Sequence, residues 1–205
     1  MQGRVRNPGD EVRRGGNRRA LGRVAASWLA ALLFIGWAGR VLGQTSASSE
    51  YQVKAAFLFH FAQFVEWPPE TFKDATSPVT YCTASADPFH GVLEAGLDRK
   101  TIGGRPIRVL HFKQAQEIQG CQVLFVGTQE KKFISTILAN VRATPVLTVG
   151  ESENFARQGG MIGFFLEDNK VRFEINLDAA EQAKLKISAR LLTLAKTVIG
   201  GPKGI

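Results

Sequence analysis

The chain has 205 residues, of which 44% are hydrophobic and 21% charged, with a formal charge of +8 and a pI near 9.8. That balance would suit nucleic acid or a membrane surface if it were evenly spread, but eight arginines between Arg4 and Arg40 face only Asp10 and Glu11, leaving +6 in residues 1–43 and +2 beyond. The basic signal belongs to the leader, so no nucleic-acid partner is expected. Within that leader an arginine-rich start precedes a 15-residue apolar run, Val24 to Ala38, and then Val41-Leu42-Gly43 at positions a signal peptidase reads. The run is shorter than the roughly 20 residues a bilayer-spanning helix needs. Residues 1–43 are therefore read as a cleaved signal peptide, with cleavage after Gly43 or, alternatively, after Ala47; a retained anchor is the less favoured reading. Arg18-Arg19 is only a weak twin-arginine signal, and the long basic start leaves open a translation start later than Met1. The exported chain of about 160 residues suffices for one good core and hardly two, and it is expected in the periplasm.

Residues 44–50 are polar and Ser-rich and read as a flexible start. From Tyr51 to Trp67 the pattern is helical, yet Val53, Ala56, Phe57, Leu58, Phe59, Phe61, Phe64, Val65 and Trp67 sit nearly all round the cylinder, so the helix must be covered on more than one side. Pro68-Pro69 ends it. Phe57, Phe61, Phe64 and Trp67 are candidate interface residues, with core packing as the alternative. Val79–Ala84 reads as a strand, Asp87-Pro88 opens a short helix to about Leu97, Ile102 to Pro106 is a turn, and Ile107–Phe112 is a second strand. Gln114 to Ile118 suggests one or two helical turns. Val123–Val126 is a wholly apolar strand, Glu130 to Val141 a helix with Phe133 on its apolar side, and Val146–Gly150 another strand. Strands alternating with helices point to a parallel sheet covered on both faces.

Met161 to Leu166 and Val171 to Ile175 flank Glu167-Asp168-Asn169, a hairpin signal. Asn176-Leu177-Asp178 then caps a pattern read as one long helix, with Ala180, Ala183, Ile187, Leu191, Leu194 and Val198 on a single stripe and Gly200-Gly201-Pro202 as its stop. Leu185 and Leu192 widen that stripe and join the candidate interface. The expected architecture is α/β: a single three-layer domain over residues 51–199, its mostly parallel sheet flanked by helices and closed by an antiparallel C-terminal hairpin, with residues 200–205 a flexible end.

Cys82 and Cys121 are the only cysteines, and in an oxidising compartment an even pair usually bridges. A bridge would bring the first and third strands together, since it needs Cα atoms within about 7 Å; two buried thiols are the alternative. Gly127, Thr128, Gly150 and Glu151 lie at the carboxyl ends of the expected parallel strands, where open α/β sheets bind ligands. They are candidate small-molecule loops or else ordinary turns, because neither G-x-x-x-x-G-K nor G-x-G-x-x-G occurs. His60 falls within an apolar helix and is read as a packed or interface residue rather than a general base, His90 and His111 have no serine, cysteine or carboxylate at a motif spacing, and G-x-S-x-G is absent. No catalytic residue, metal ligand or cofactor is assigned, and the chain is not expected to be an enzyme.

The segments VKAAFLFHFAQFVEWP, FARQGGMIGFF and KVRFEINLDAAEQAKLKISARLLTLA, separated and in this order, resemble the YfiR family of small periplasmic proteins. The resemblance covers roughly Tyr51 to Val198. It implies an exported α/β domain, usually a homodimer, that represses the periplasmic part of an inner-membrane diguanylate cyclase, or of another membrane sensor, and has no enzymatic activity of its own. A periplasmic small-molecule-binding protein using the strand-end loops is the alternative.

Overall fold

The computed structural model describes residues 41–84, 87–114 and 117–201, with side chains from residue 48 onward. The described residues from Ala47 onward form one compact unit. The expected signal peptide, residues 1–43, lies up to residue 40 outside the described residues. Among those described, no helix is long and apolar enough to cross a membrane.

Helix α1 spans Val41–Gln63 and so reaches back through residues 44–50, which were expected to be flexible. At its described side chains the reason is visible: Glu50 pairs with Lys54 one turn on, at 2.5 Å, a spacing that supports a helix. After α1 come β1 (Val65–Glu66), β2 (Val79–Ala84), α2 (Val92–Leu97), β3 (Thr101–Ile102), β4 (Arg105–Phe112), β5 (Val123–Val126), α3 (Ile134–Val141), β6 (Leu147–Gly150), β7 (Ile162–Glu167) and β8 (Lys170–Asn176). The main sheet has eight strands in the order β10-β8-β7-β6-β5-β2-β4-β3, where β10 is the C-terminal strand Thr197–Ile199. β4, β2, β5, β6 and β7 run parallel; the hairpin β7–β8 is antiparallel, in register from Ile162↔Ile175 to Glu167↔Lys170. The turn at Ile102–Pro106 is itself a small hairpin, β3 against β4, because Gly103 and Gly104 both take positive φ (57° and 80°), as a two-residue type I′ loop requires.

Alternate residues of the central strands face opposite layers, as the period of two demands. Tyr81, Val123, Phe125, Leu147 and Val149 join Leu58, Phe61, Phe89 and Leu93 on the face covered by α1 and α2. Cys82, Ala84, Leu124 and Val126 join Ile134, Ile137 and Phe155 on the face covered by α3. The three-layer α/β architecture is thus present. Phe133 is an exception to its expected place: it precedes α3 as the helix cap and is 54% exposed.

The long C-terminal helix is not formed. α4 covers only Leu177–Gln182, β9 is Lys186–Ile187, α5 is Ala189–Leu192, and β10 then pairs parallel with β8. Three local features break the helix. Lys184 adopts φ +57°, and Leu185 N donates to Ala180 O across it, a left-handed helix stop. Lys186 and Ile187 pair antiparallel with Glu66 and Val65 of β1. Ser188 donates its N–H to Phe64 O, and its hydroxyl accepts from Leu191 N, starting a new helix as a cap. Ala180, Ala183 and Leu191 are buried as the stripe requires, but Leu194 is 61% exposed. Of the final glycines, Gly200 is not a helix stop but a close approach to Asp178, whose carboxylate would lie 2.3 Å from an added Cβ and which accepts from Gly201 N.

Candidate functional site

β2 leads through α2 to β4 on one side, whereas β5 leaves on β2's other side and leads through α3 to β6. The strand order therefore reverses between β2 and β5, and a crevice at their carboxyl ends is where such sheets bind ligands. All four candidate loop residues gather there, but the crevice is stitched shut. Glu151 accepts from Tyr51 Oη (3.0 Å), from Thr128 N (3.1 Å) and from Lys54 Nζ (2.5 Å). The Lys54 and Glu151 side chains are 5% and 4% exposed, so this is a buried ion pair that ties α1 to the ends of β5 and β6. Burial, followed by the Glu151 carboxylate, pushes the Tyr51 phenol well above its ordinary range and keeps it a neutral donor. Gly127 is buried beneath Pro88 and Glu151. Gly150 lies against the Phe155 ring, 2.4 Å from where a Cβ would be. Thus Glu151 acts as a strut, and nothing in its sequence context signalled that, since its partners lie 97 and 100 residues away.

The expected disulfide is present: Cys82 and Cys121 are bonded, with Cα atoms 5.9 Å apart. It joins β2 to the residue two before β5. Beside it Gln122 accepts from Thr80 N through its side chain and donates its own N–H to Thr80 O.

The six candidate interface residues are not brought together on the surface. Phe61 and Leu185 lie in the core, a correction that follows from the aromatic stack: Phe61 meets Phe164 and Phe173 at 5.5 and 4.9 Å between ring centroids, and Phe57 meets the same pair. Phe64 is half-buried under Arg190, Trp67 packs edge-on against Phe72, and Leu192 is half-buried against the same core. Among the described residues, the large apolar side chains that are exposed are instead Val53, Phe133, Leu166, Leu194 and Val198. A separate cleft of about 310 Å³ opens between α3 and α4 at the amino end of β6, with Arg142, Thr148, Asn176 and Asp178 in its walls.

Among the histidines, His60 is exposed beside Gln63, and His90 is an exposed turn residue at φ +50°. His111, by contrast, meets Glu94 and Thr83. The separation of His111 and Glu94 in the chain, 17 residues, hid that contact from any motif search; it exists because α2 packs beside β4.

The pattern that defines proteins described as YfiR/HmsC-like matches residues 51–196, most of the chain. Two solved structures show a weaker likeness, each 10% identical. A conserved domain protein from Vibrio cholerae O1 biovar El Tor aligns at a TM-score of 0.46 over 58% of this chain and 54% of its own. A structure described as the ABC domain in complex with L-Trp, from Streptococcus pneumoniae, aligns at 0.45 over 58% and 55%. The chain spans about half the length of these solved chains.

Proposed function

This chain belongs to the YfiR/HmsC-like family, and on that footing we propose that it binds the periplasmic domain of an inner-membrane diguanylate cyclase and holds it inactive, lowering cyclic di-GMP. The coarser statement, a regulatory protein of the periplasm, comes with the family; the partner and the sign of regulation are our reading. The match over residues 51–196 carries it. In this reading the chain is exported by its leader, loses residues 1–43 and acts as a homodimer. Repression then means tighter binding to the inactive receptor than to the active one, because a partner shifts an equilibrium only through differential affinity. The Cys82–Cys121 bridge and the Lys54–Glu151 pair favour a stiff binding body, and the exposed Leu166 and Leu194 offer apolar contact area for a receptor.

The test is an affinity pull-down from membranes with the exported chain as bait, paired with cyclic di-GMP measurement in a deletion strain. Recovery of a diguanylate cyclase and a rise in the dinucleotide are expected. Recovery of no membrane sensor, with the dinucleotide unchanged, sinks the proposal. A second reading, small-molecule binding, is favoured by the cleft beside Arg142 and Asn176 rather than by the strand-end loops, whose Glu151 is already engaged. A thermal shift with envelope metabolites that disappears in Arg142→Ala is its signature.

A further inference from the structure

At the carboxyl ends of β2 and β4, Asp87, Glu94 and His111 converge from three separate segments, the loop after β2, α2 and β4. One donor atom from each lies within 4.8 Å of the other two. We infer that these residues bind a divalent cation of the zinc class, an inference independent of the receptor proposed above.

Outer contacts orient two of the three donors, His111 and Asp87. Thr83, fully buried on β2, places Oγ1 2.6 Å from His111 Nδ1. That contact fixes the ring so that Nε2 faces the carboxylates, as the outer hydrogen bond of a metal-bound histidine does. Asp87 is oriented by its own backbone: one oxygen accepts from Phe89 N at 2.9 Å and the other from Gly91 N at 3.0 Å, each with lone pairs to spare. His111 Nε2 stands 2.5 Å from Glu94 Oε1. With Nδ1–H donating to Thr83, a neutral ring would turn a lone pair toward a carboxylate oxygen, an arrangement that either a proton on Nε2 or a bound cation relieves. With the opposite tautomer the contact is an ordinary hydrogen bond, yet Glu94 Oε2 is unpaired in either case. That oxygen is closed off from solvent and has no hydrogen-bond partner, a state that costs free energy unless a ligand satisfies it.

One imidazole nitrogen with two carboxylates suits zinc and its neighbours rather than magnesium, which takes oxygen ligands and keeps its waters. Around zinc at 2.0–2.2 Å, donors stand about 3.4 Å apart, so shifts on the order of an ångström, opening the 2.5 Å His111–Glu94 contact and closing the longer separations, form the set. The His111 and Glu94 side chains are 37% and 39% exposed, free to make them and leaving a fourth position for water. Both cysteines are engaged in the disulfide, so no thiolate competes for the ion.

The experiment is calorimetric titration of untagged, chelator-stripped protein with Zn²⁺ and, in parallel, Mg²⁺. One zinc per chain with micromolar affinity and at least a hundredfold preference over magnesium is expected. Glu94→Gln and His111→Gln should each weaken zinc at least tenfold, while His60→Gln and His90→Gln leave it unchanged. Metal-free melting curves establish that the variants fold. Mn²⁺-induced broadening of wild-type amide signals supplies a variant-free readout, expected to centre on Asp87, Glu94 and His111. Substoichiometric zinc, zinc binding that survives the Glu94→Gln/His111→Gln double change, or broadening centred elsewhere would overturn the inference.

Discussion

The two faces of the sheet are covered by different means. On one, α1 lays Phe61 and the half-buried Phe57 over β7 and β8 and is locked near its middle by Lys54 to Glu151. On the other, α3 is only eight residues long, and the Cys82–Cys121 bridge does part of the work of a second helix. Apolar burial and loop constraint are interchangeable ways of reaching the same stability, but they fail differently: lost burial opens a cavity in the folded state, whereas a lost bridge enlarges the freedom of the unfolded one.

That contrast can be broken by measurement. Phe61→Ala removes the ring at the centre of the aromatic stack and is expected to cost about 4 kcal/mol in chemical denaturation; a cost under about 1 kcal/mol would mean α1 is not the main cover of its face. Replacing both cysteines by alanine should cost roughly 4 kcal/mol, less any strain in the bridge, from closing a loop of 39 residues. Hydrogen exchange sharpens this second case, because protection should fall in β5 and α3 before it falls in β7 and β8. Lys54→Ala leaves the buried Glu151 carboxylate without its cation and is expected to cost about 3 kcal/mol, whereas changing Lys54 and Glu151 together to methionine and leucine should recover most of it. Gly160→Ala would place a Cβ 2.1 Å from the Phe155 ring; a loss of about 2 kcal/mol by thermal melting is expected from such overpacking. The smallest effect is at the loop over residues 74–77, where hydrogen bonds from Thr76 and Ser77 hold the Asp74 carboxyl below its ordinary range. A lowered folded value stabilises above the unfolded value near 4 and is lost as pH falls through the folded one. Amide signals of Thr76 and Ser77 should therefore shift below pH 4 in the native protein and lose that shift in Asp74→Asn.

The sheet was legible where residues serve one purpose. Val123-Leu124-Phe125-Val126, apolar on both faces, could only be an inner strand, and the β7–β8 hairpin followed from strict alternation around Glu167-Asp168-Asn169. The C-terminal third misled because Leu185, Ile187 and Leu191 satisfy period two as readily as they satisfy a helical stripe. What decides between them is the pairing of Lys186 and Ile187 with β1, more than a hundred residues earlier in the chain. The strut at Glu151 and the convergence on His111 were illegible for the same reason: each joins groups that only the topology brings together. The cysteine pair was the exception, since compartment chemistry, not spacing, pointed to it.

The pairing of α1 and β1 with the last segments also has a kinetic side. Phe57 and Phe61 stack on each other within α1, but the rings that cover them, Phe164 and Phe173, lie about a hundred residues on, and Val65 pairs with Ile187. Contacts so distant along the chain form late and slowly. During synthesis the aromatic flank of α1 therefore waits without cover until nearly the whole domain has followed, which makes that short interval, rather than the finished fold, the moment at which exposed apolar surface invites misassembly.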